Sequence, residues 1–331
     1  MNQLPLWCRS GAVLGPESPL PLDRPFTVKQ ARGLGVSRGL LGRLTTCGFV
    51  RPVLHGVYVA SQVPDALALR LAAVRLVVPD HAIVVARTAA WLHGVDALPR
   101  SAIYELPDLD VFSRDANRMR RDGVRSGTRG LLDRDIEVRG GVALTTPLRT
   151  ACDLGRLLWR YDALSAIDGF LRLGVEPAEL AFEINRFKGF RGVRQLRTLA
   201  PLGDPRAESP PESALRWHWH DSGNPWPDMQ MWVYCDDGRP RYRIDVGAEV
   251  VLYGVEYFGE PFHSEDTRAH DDGRLRWLSE ERGWQMEVFT KEDLYGPQLA
   301  ATDMLRSGYE RARATLGIRT SRIIDLGRPQ H

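Results

Sequence analysis

Lysine and cysteine are both scarce in this chain of 331 residues. Only three of its 44 basic residues are lysines, so arginine supplies nearly all of the positive charge. Arginine suits phosphate binding, although a GC-rich genome gives the same bias. The four cysteines are far apart and form no C-x-x-C pair, which gives no support to a disulfide framework or a zinc ribbon.

Long hydrophobic runs are absent as well. A membrane-spanning helix needs about 18 to 20 apolar residues, and the longest run, around Ala82 to Ala86, is far shorter. The N-terminus has no basic stretch followed by an apolar one, as a signal peptide would have. These absences predict a cytoplasmic protein with no role in a membrane. A chain of this length also exceeds the usual domain size of about 100 to 200 residues, which predicts two or three domains.

Charge is unevenly distributed along the chain. The net charge of +2 combines an excess of nine positive charges over residues 1–203, ten negative charges over 204–297 and three positive charges over 298–331. We expect the basic front half to bind a polyanion and the acidic back half to hold a separate activity. Four prolines fall within 201–211, which indicates a linker and a domain boundary near residue 205.

Residues 27–60 contain five basic side chains and no Asp or Glu, where mixed signs would be usual. Thr27 and Ser37 are positioned to cap two consecutive helices, and Gly35 separates them. After Gly48, the segment 50–59 reads as two short strands that bend at His55. A helix, turn and helix followed by a two-stranded ribbon predict a winged helix.

This segment and the region after it, about residues 20–150, resemble the N-terminal part of AbiEi-type antitoxins and regulators. The residue patterns indicate a loose leader at 1–22, a winged helix at 23–61 and an α+β middle domain at 62–200 that ends in helices. A basic winged helix makes double-stranded DNA the expected partner. The side chains expected to contact DNA are Lys29, Ser37, Arg38, Arg43, Arg51 and His55. The alternative is a small helical domain that packs within the protein or on a partner.

The back half is predicted to contain a helix, three strands, a second helix and a last strand, within a domain at 212–316 that a tail at 317–331 follows. Asp245 and Glu256 lie on two consecutive predicted strands, over 241–247 and 250–258, and can meet if these strands pair. Two converging carboxylates repel each other unless a cation joins them. Mg²⁺ would serve, and so would an ion pair with Arg241, Arg243 or Arg274.

Four short motifs give residues 207–296 a resemblance to a known family. They are ESALR at 212–216, RID at 243–245, VEYFGEPFH at 255–263 and D-x-x-R at 271–274. They resemble the endonuclease-like domain related to very-short-patch-repair endonucleases, a branch of the PD-(D/E)xK restriction-endonuclease fold. The resemblance implies an α/β domain in which Mg²⁺ or Mn²⁺ is bound by Glu212, Asp245 and Glu256. It further implies that His263 assists catalysis and that Asp271 and Arg274 support the site.

Two functions are therefore open. The first is a Mg²⁺-dependent endonuclease that hydrolyses phosphodiester bonds, with the winged helix holding the DNA. The second is a regulator or antitoxin of AbiEi type whose nuclease-like domain is not catalytic. Phe258 stands where the nuclease superfamily has a lysine and closer relatives have an aspartate, which favours the regulator, whereas the carboxylates and His263 favour the enzyme. The sequence identifies neither a protein partner nor an oligomeric state.

Overall fold

The computed structural model describes residues 4–8, 13–99, 102, 105–115, 118–259, 272–297 and 300–317. Contacts divide the chain into two compact units, Met1–Leu154 and Gly155–His331. Three sheets lie within the described residues, and helices accompany them, so the predicted mixed α/β architecture is confirmed. No helix among the described residues is long and apolar enough to cross a membrane.

The first unit begins with a small helical and stranded body. Its elements are β1 (Phe26–Thr27), α1 (Val28–Gly33), α2 (Arg38–Thr46), β2 (Val50–Leu54) and β3 (Val57–Ala60), and the strands form a sheet in the order β1-β3-β2. Thr27 caps α1 in a capping box with Gln30, and the Ser37 hydroxyl accepts the backbone N–H of Leu40 at the start of α2. Gly35 between the helices has a φ of 81°, which favours glycine. The two caps and the turn are as predicted.

A five-stranded sheet follows in the same unit. It is preceded by α3 (Leu67–Arg75), and its strands are β4 (Ile83–Val84), β5 (Leu109–Ser113), β6 (Val124–Thr128), β7 (Ile136–Arg139) and β8 (Val142–Thr145), in the order β6-β5-β4-β8-β7. The apolar pattern of residues 82–94 predicts a helix, but the first part of this segment is a strand. Val84 is fully buried between β5 and β8, so its apolar surface goes into the centre of the sheet, and only α4 (Ala86–His93) is helical.

A buried arginine that follows β8, the last strand of this sheet along the chain, joins two segments of the first unit. Arg149 lies near the start of α5 (Pro147–Leu157) and is only 3% exposed. Its guanidinium donates to Asp135 at 2.7 Å and to Asp153 at 3.0 Å, and Asp153 also accepts from Arg129 at 3.0 Å. The buried charges therefore neutralise each other within one hydrogen-bonded network, which holds α5 against the loop before β7.

The second unit contains four helices before its sheet: α6 (Arg160–Arg172), α7 (Pro177–Glu183), α8 (Val193–Leu199) and α9 (Pro210–Asp221). Asp168 of α6 is buried, and it accepts from Arg216 and from the Ser213 hydroxyl of α9. Asp168 also accepts the backbone N–H of Asp204 at 2.8 Å. The segment 201–211, which reads as a linker in the sequence, is thus bound to α6.

The sheet of the second unit has the order β12-β11-β10-β9. Its strands are β9 (Asp228–Tyr234), β10 (Pro240–Ala248), β11 (Tyr253–Tyr257) and β12 (Gln285–Phe289). The helical residues 272–276 are named α10 and continue as a π-helical turn at Trp277–Glu281, while α11 (Lys291–Tyr295) and α12 (Ala301–Thr315) follow β12. The strand predicted at 250–258 begins only at Tyr253, because Glu249–Val251 forms a 3₁₀ turn and Leu252 has a φ of 49°.

Two groups of apolar side chains cover this sheet. The large cluster includes Trp219, Tyr253, Val255, Phe289 and Tyr309 and joins the sheet to α9 and α12. The small cluster consists of Val233, Ile244, Trp277, Leu278 and Trp284 and joins the sheet to the π-helical turn. Asp245 lies on β10, which contributes to both clusters, and Glu256 lies on β11, which contributes to the large one.

The Arg149 network predicts a large difference between two arginine substitutions. Arg149→Ala should lower the free energy of unfolding by about 3 to 5 kcal/mol, because it removes the guanidinium that the buried carboxylates of Asp135 and Asp153 share. Arg114→Ala is the control, since Arg114 pairs with an Asp133 side chain that is 96% exposed, and it should cost about 0 to 1 kcal/mol. Urea denaturation measures both values, and equal losses would contradict the assigned role of Arg149.

Candidate functional site

The first candidate site is a basic face on the body formed by β1 to β3, α1 and α2. Lys29 and Arg32 on α1 and Arg38 at the start of α2 are all exposed. Within the described residues none of the three forms an ion pair with a carboxylate. Their charges therefore stand at the surface without local neutralisation, as a phosphate-binding surface requires.

A groove of about 540 Å³ runs between α2 and the β2–β3 hairpin. Arg38, Leu41 and Gly42 line it from the helix, and His55, Gly56 and Tyr58 line it from the hairpin. The structure thus brings Arg38 and His55 to one place. Farther along α2, Arg43 is half-buried, and its Nε finds no hydrogen-bond acceptor among the described residues.

Three of the predicted DNA-contacting side chains already have protein partners. The Ser37 hydroxyl caps α2, and Arg51 donates to the Val63 carbonyl at 2.9 Å. The His55 Nε2 lies 3.0 Å from the Leu106 carbonyl, while Arg121 donates to the His55 carbonyl at 2.8 Å. The hairpin tip is therefore held by the segments around β5 and β6, and contact of Arg51 or His55 with phosphate stays a prediction.

The second candidate site is a carboxylate cluster in the sheet of the second unit. It lies where the side chains of β9 and β10 switch from one face of the sheet to the other. Met229 and Val246 pair in register and pack in the large cluster, whereas Met231 and Ile244, which also pair in register, pack with the small cluster. In a regular strand, residues two apart point to the same face of the sheet. In β9 and β10 the side chains therefore switch faces between these two pairs, at Gln230 and at Asp245. Gln230 has a φ of 56°, in the left-handed region.

Glu212 contributes to this cluster from the first turn of α9. Its carboxylate accepts the Ser209 hydroxyl at 2.7 Å and the backbone N–H of Glu208 at 2.8 Å. Gln230 Nε2 donates to it at 2.7 Å. Ser209 and Glu212 form the S-x-x-E pattern that marks a helix start. This pattern is visible in the sequence and indicates a capping role for Glu212. The nuclease resemblance instead implies that Glu212 binds a metal ion.

Asp245 lies between Glu212 and Arg274. Burial, followed by the charge of Glu212, raises the pKa of Asp245 to about 6, and the charge of Arg274 and the backbone N–H of Tyr257 only partly oppose the shift. The strands that carry Asp245 and Glu256 form an antiparallel pair, with Val246 opposite Val255. The two carboxylates therefore stand at neighbouring positions across the strands.

Glu256 is bound by an arginine. Its side chain is 1% exposed and forms an ion pair with Arg274, which also donates to the Arg243 carbonyl at 3.2 Å. Among the residues that the structure describes, no group of three His, Cys, Asp or Glu side chains could hold a metal ion. In this arrangement the side chains do not fit a divalent ion, because the guanidinium of Arg274 already neutralises the Glu256 carboxylate. The site for Mg²⁺ or Mn²⁺ stays a prediction.

The other residues of the predicted nuclease site are placed as follows. His263 and Asp271 lie outside the described residues. Phe258 comes directly after β11, is half-buried and donates its backbone N–H to the Phe289 carbonyl at 2.9 Å. Gln230 belongs to the cluster but is missed by sequence reasoning, because nothing in its local sequence marks a left-handed residue in a strand.

Comparison with known proteins assigns a family to the chain. It is 31% identical over 252 residues to the uncharacterized protein Rv2248 of Mycobacterium tuberculosis (strain ATCC 25618 / H37Rv), and the match covers 75% of this chain and 87% of the relative. The uncharacterized protein MT2308 of strain CDC 1551 / Oshkosh matches to the same extent. The chain belongs to the Rv2248 family.

Part of this Rv2248-family chain is also similar to antitoxins. Residues 82–202 match the family described as the AbiEi antitoxin C-terminal domain, which confirms the AbiEi-type resemblance in that stretch. The match begins at β4, beyond the basic body at 26–60, and extends through α8. The resemblance of residues 207–296 to endonucleases stays a prediction.

The Asp245 environment predicts an unusual pH dependence of stability. The pKa of Asp245 in the folded state lies above its ordinary value. This carboxyl therefore makes the protein more stable below about pH 4, where it is protonated, and its contribution to the free energy of unfolding falls as the pH rises through about 6. The shift in the pKa of Asp245 corresponds to a change of at most about 3 kcal/mol in the free energy of unfolding. Asp245→Asn should therefore raise the free energy of unfolding at pH 7 by about 2 kcal/mol and flatten its change between pH 4 and 7.

Denaturation at a series of pH values measures this effect, with Asp272→Asn as the control. Asp272 is exposed, so this variant removes the same charge from the surface and should follow the wild-type profile. An Asp245→Asn profile parallel to that of the wild type would contradict the assigned environment.

Proposed function

We propose that this protein is a duplex-DNA-binding regulator of AbiEi antitoxin type, in which the C-terminal sheet is an interaction module and not a nuclease. The observation that carries the proposal is the basic face of α1 and α2. Its exposed cations have no carboxylate partner among the described residues. A helix–turn–helix followed by a hairpin is the arrangement of a winged helix, in which the second helix enters the major groove.

The similarity of residues 82–202 to the AbiEi antitoxin C-terminal domain supports the same function. In the C-terminal sheet, two features favour a non-catalytic role. The Glu256 carboxylate is held by Arg274, and Glu212 is engaged in capping α9. Phe258, in place of the polar residue expected in a nuclease, is in keeping with both.

A metal-dependent DNA endonuclease is the second candidate. The observation that favours it is the raised pKa of Asp245, with Glu212 close enough to contribute to the shift. Such paired, partly desolvated carboxylates are common where catalysis occurs. The same environment also arises in a structural cluster neutralised by arginine, and the ion pair of Glu256 with Arg274 makes that interpretation the better supported of the two.

The regulator function predicts that α2 determines DNA affinity. In the full-length protein, Arg38→Gln combined with Arg43→Gln should weaken binding to a duplex operator fragment on the order of tenfold. The slope of log affinity against log salt should fall by about one for each phosphate contact removed. Fluorescence anisotropy over a range of salt concentrations measures both quantities.

The matched control is Arg239→Gln combined with Arg276→Gln, which removes the same charge from two exposed positions of the second unit. This variant should keep wild-type affinity and slope, because its arginines are not assigned to the DNA surface. Identical behaviour of the two double variants would contradict a DNA-binding role for α2.

A further inference from the structure

Two glycines lie on the exposed side of α2, the second helix of the basic body. Gly39 and Gly42 are both within the helix, and neither has a positive φ. After proline, glycine is the residue least compatible with a helix, because its backbone loses the most conformational freedom on folding. Two glycines among nine residues therefore weaken α2.

Packing within the described residues does not explain these glycines. A Cβ built on Gly39 or Gly42 would meet none of their atoms within 4 Å. Elsewhere packing does require glycine, since a Cβ at Gly155 of α5 would lie 2.6 Å from the Leu196 side chain. The fold would therefore accept alanine at positions 39 and 42. Glycine is also used where a backbone must approach a ligand closely.

Helix periodicity places the glycines at the centre of one side of α2. Leu41 and Leu44 are buried on the other side. The arginines form the two edges of the outward side, and its centre has only small residues. This side is named the α2 glycine face, and its members, of which only the second arginine is half-buried and the rest are exposed, are Arg38, Gly39, Gly42, Arg43 and Thr46.

The missing side chains allow the helix to lie deeper in a DNA groove. The Cα atoms of a helix lie about 2.3 Å from its axis, while a helix with its side chains is about 10 to 12 Å across. The major groove is about 12 Å wide and 8.5 Å deep, so an ordinary helix just fits into it. A face without side chains at its centre brings the backbone about 2 Å closer to the base edges.

The two edges of the face suit the same ligand. Arg38 is exposed, lines the groove beside the β2–β3 hairpin and has no carboxylate partner within the described residues. The Nε of Arg43 finds no acceptor in the same part of the chain. Guanidinium groups at both edges match the phosphates of the two strands that border a groove.

We propose that the α2 glycine face determines the sequence specificity of DNA binding, because it brings the helix backbone and Thr46 against the base edges of the major groove. The inference rests on the proposed function and deepens it, since it assigns base recognition to named positions of α2. Phosphate contacts by the surrounding cations would add affinity without information on the base sequence.

The test uses the full-length protein and a duplex that wild type selects from a random-sequence pool, with an unrelated duplex of the same length as reference. Gly39→Ala combined with Gly42→Ala should bind the selected duplex on the order of tenfold more weakly. Its affinity for the unrelated duplex and its salt slope should equal those of wild type, because no cation is removed. Gly39→Gln combined with Gly42→Gln should lose more, since longer side chains hold the helix farther from the bases. Fluorescence anisotropy measures each quantity.

The alanine variant should also be more stable than wild type. Alanine favours a helix, so the melting temperature should rise by about 2 to 4 °C for each substitution, which circular dichroism measures. Weaker binding by a more stable protein cannot arise from unfolding. The control is Gly273→Ala in α10, an exposed position where an added Cβ meets no described atom within 4 Å. It should bind both duplexes as wild type does.

Three results would contradict the inference and leave the proposed function standing. In the first, the alanine variant keeps its affinity for the selected duplex or loses affinity equally for both duplexes. In the second, it melts at a lower temperature than wild type, which would show that the glycines serve packing. In the third, wild type binds duplex DNA but enriches no sequence from the pool. Failure of wild type to bind any duplex would contradict the proposed function as well.

Discussion

Buried carboxylates in this protein are paired with arginines, apart from Glu212, which accepts from Ser209 and Gln230. The guanidinium of Arg149 joins Asp135 to Asp153 in the first unit, that of Arg216 reaches Asp168 in the second, and that of Arg274 binds Glu256 beside the sheet. A buried charge without a partner costs several kcal/mol, so each pair fixes the elements that carry it. The planar fork of arginine reaches two acceptors at once, which a lysine cannot do with the same geometry. The interior of both units depends on this pairing.

Other arginines stand at the surface. Arg32 on α1 and Arg38 at the start of α2 are exposed and have no carboxylate partner within the described residues. These are arginines that the proposed function assigns to DNA binding. Pairing with arginine also extends to the carboxylate cluster, where Arg274 binds Glu256 and its charge acts on Asp245.

Local features of the fold could be predicted from the sequence, because their signals lie within a few residues. The caps at Thr27 and Ser37, the turn at Gly35 and the pairing of the strands that carry Asp245 and Glu256 are examples. Contacts between distant segments could not. Asp153 shows no partner in the sequence, yet Arg129 and Arg149 both bind it. The apolar run around Val84, which forms β4, suits a helix as well as a strand. Only the burial of Val84 within the sheet determines that the segment is a strand.

The carboxylate cluster shows the same limit. Glu212, Asp245 and Glu256 could be selected from motifs, but the reversal of two strands at Gln230 and the approach of Arg274 depend on the tertiary structure. Under the proposed function the protein binds DNA and does not cleave it. Incubation of the full-length protein with supercoiled plasmid and Mn²⁺, followed by electrophoresis, distinguishes binding from cleavage. The plasmid should be retarded and intact, and nicking that Glu256→Gln abolishes would contradict a non-catalytic role.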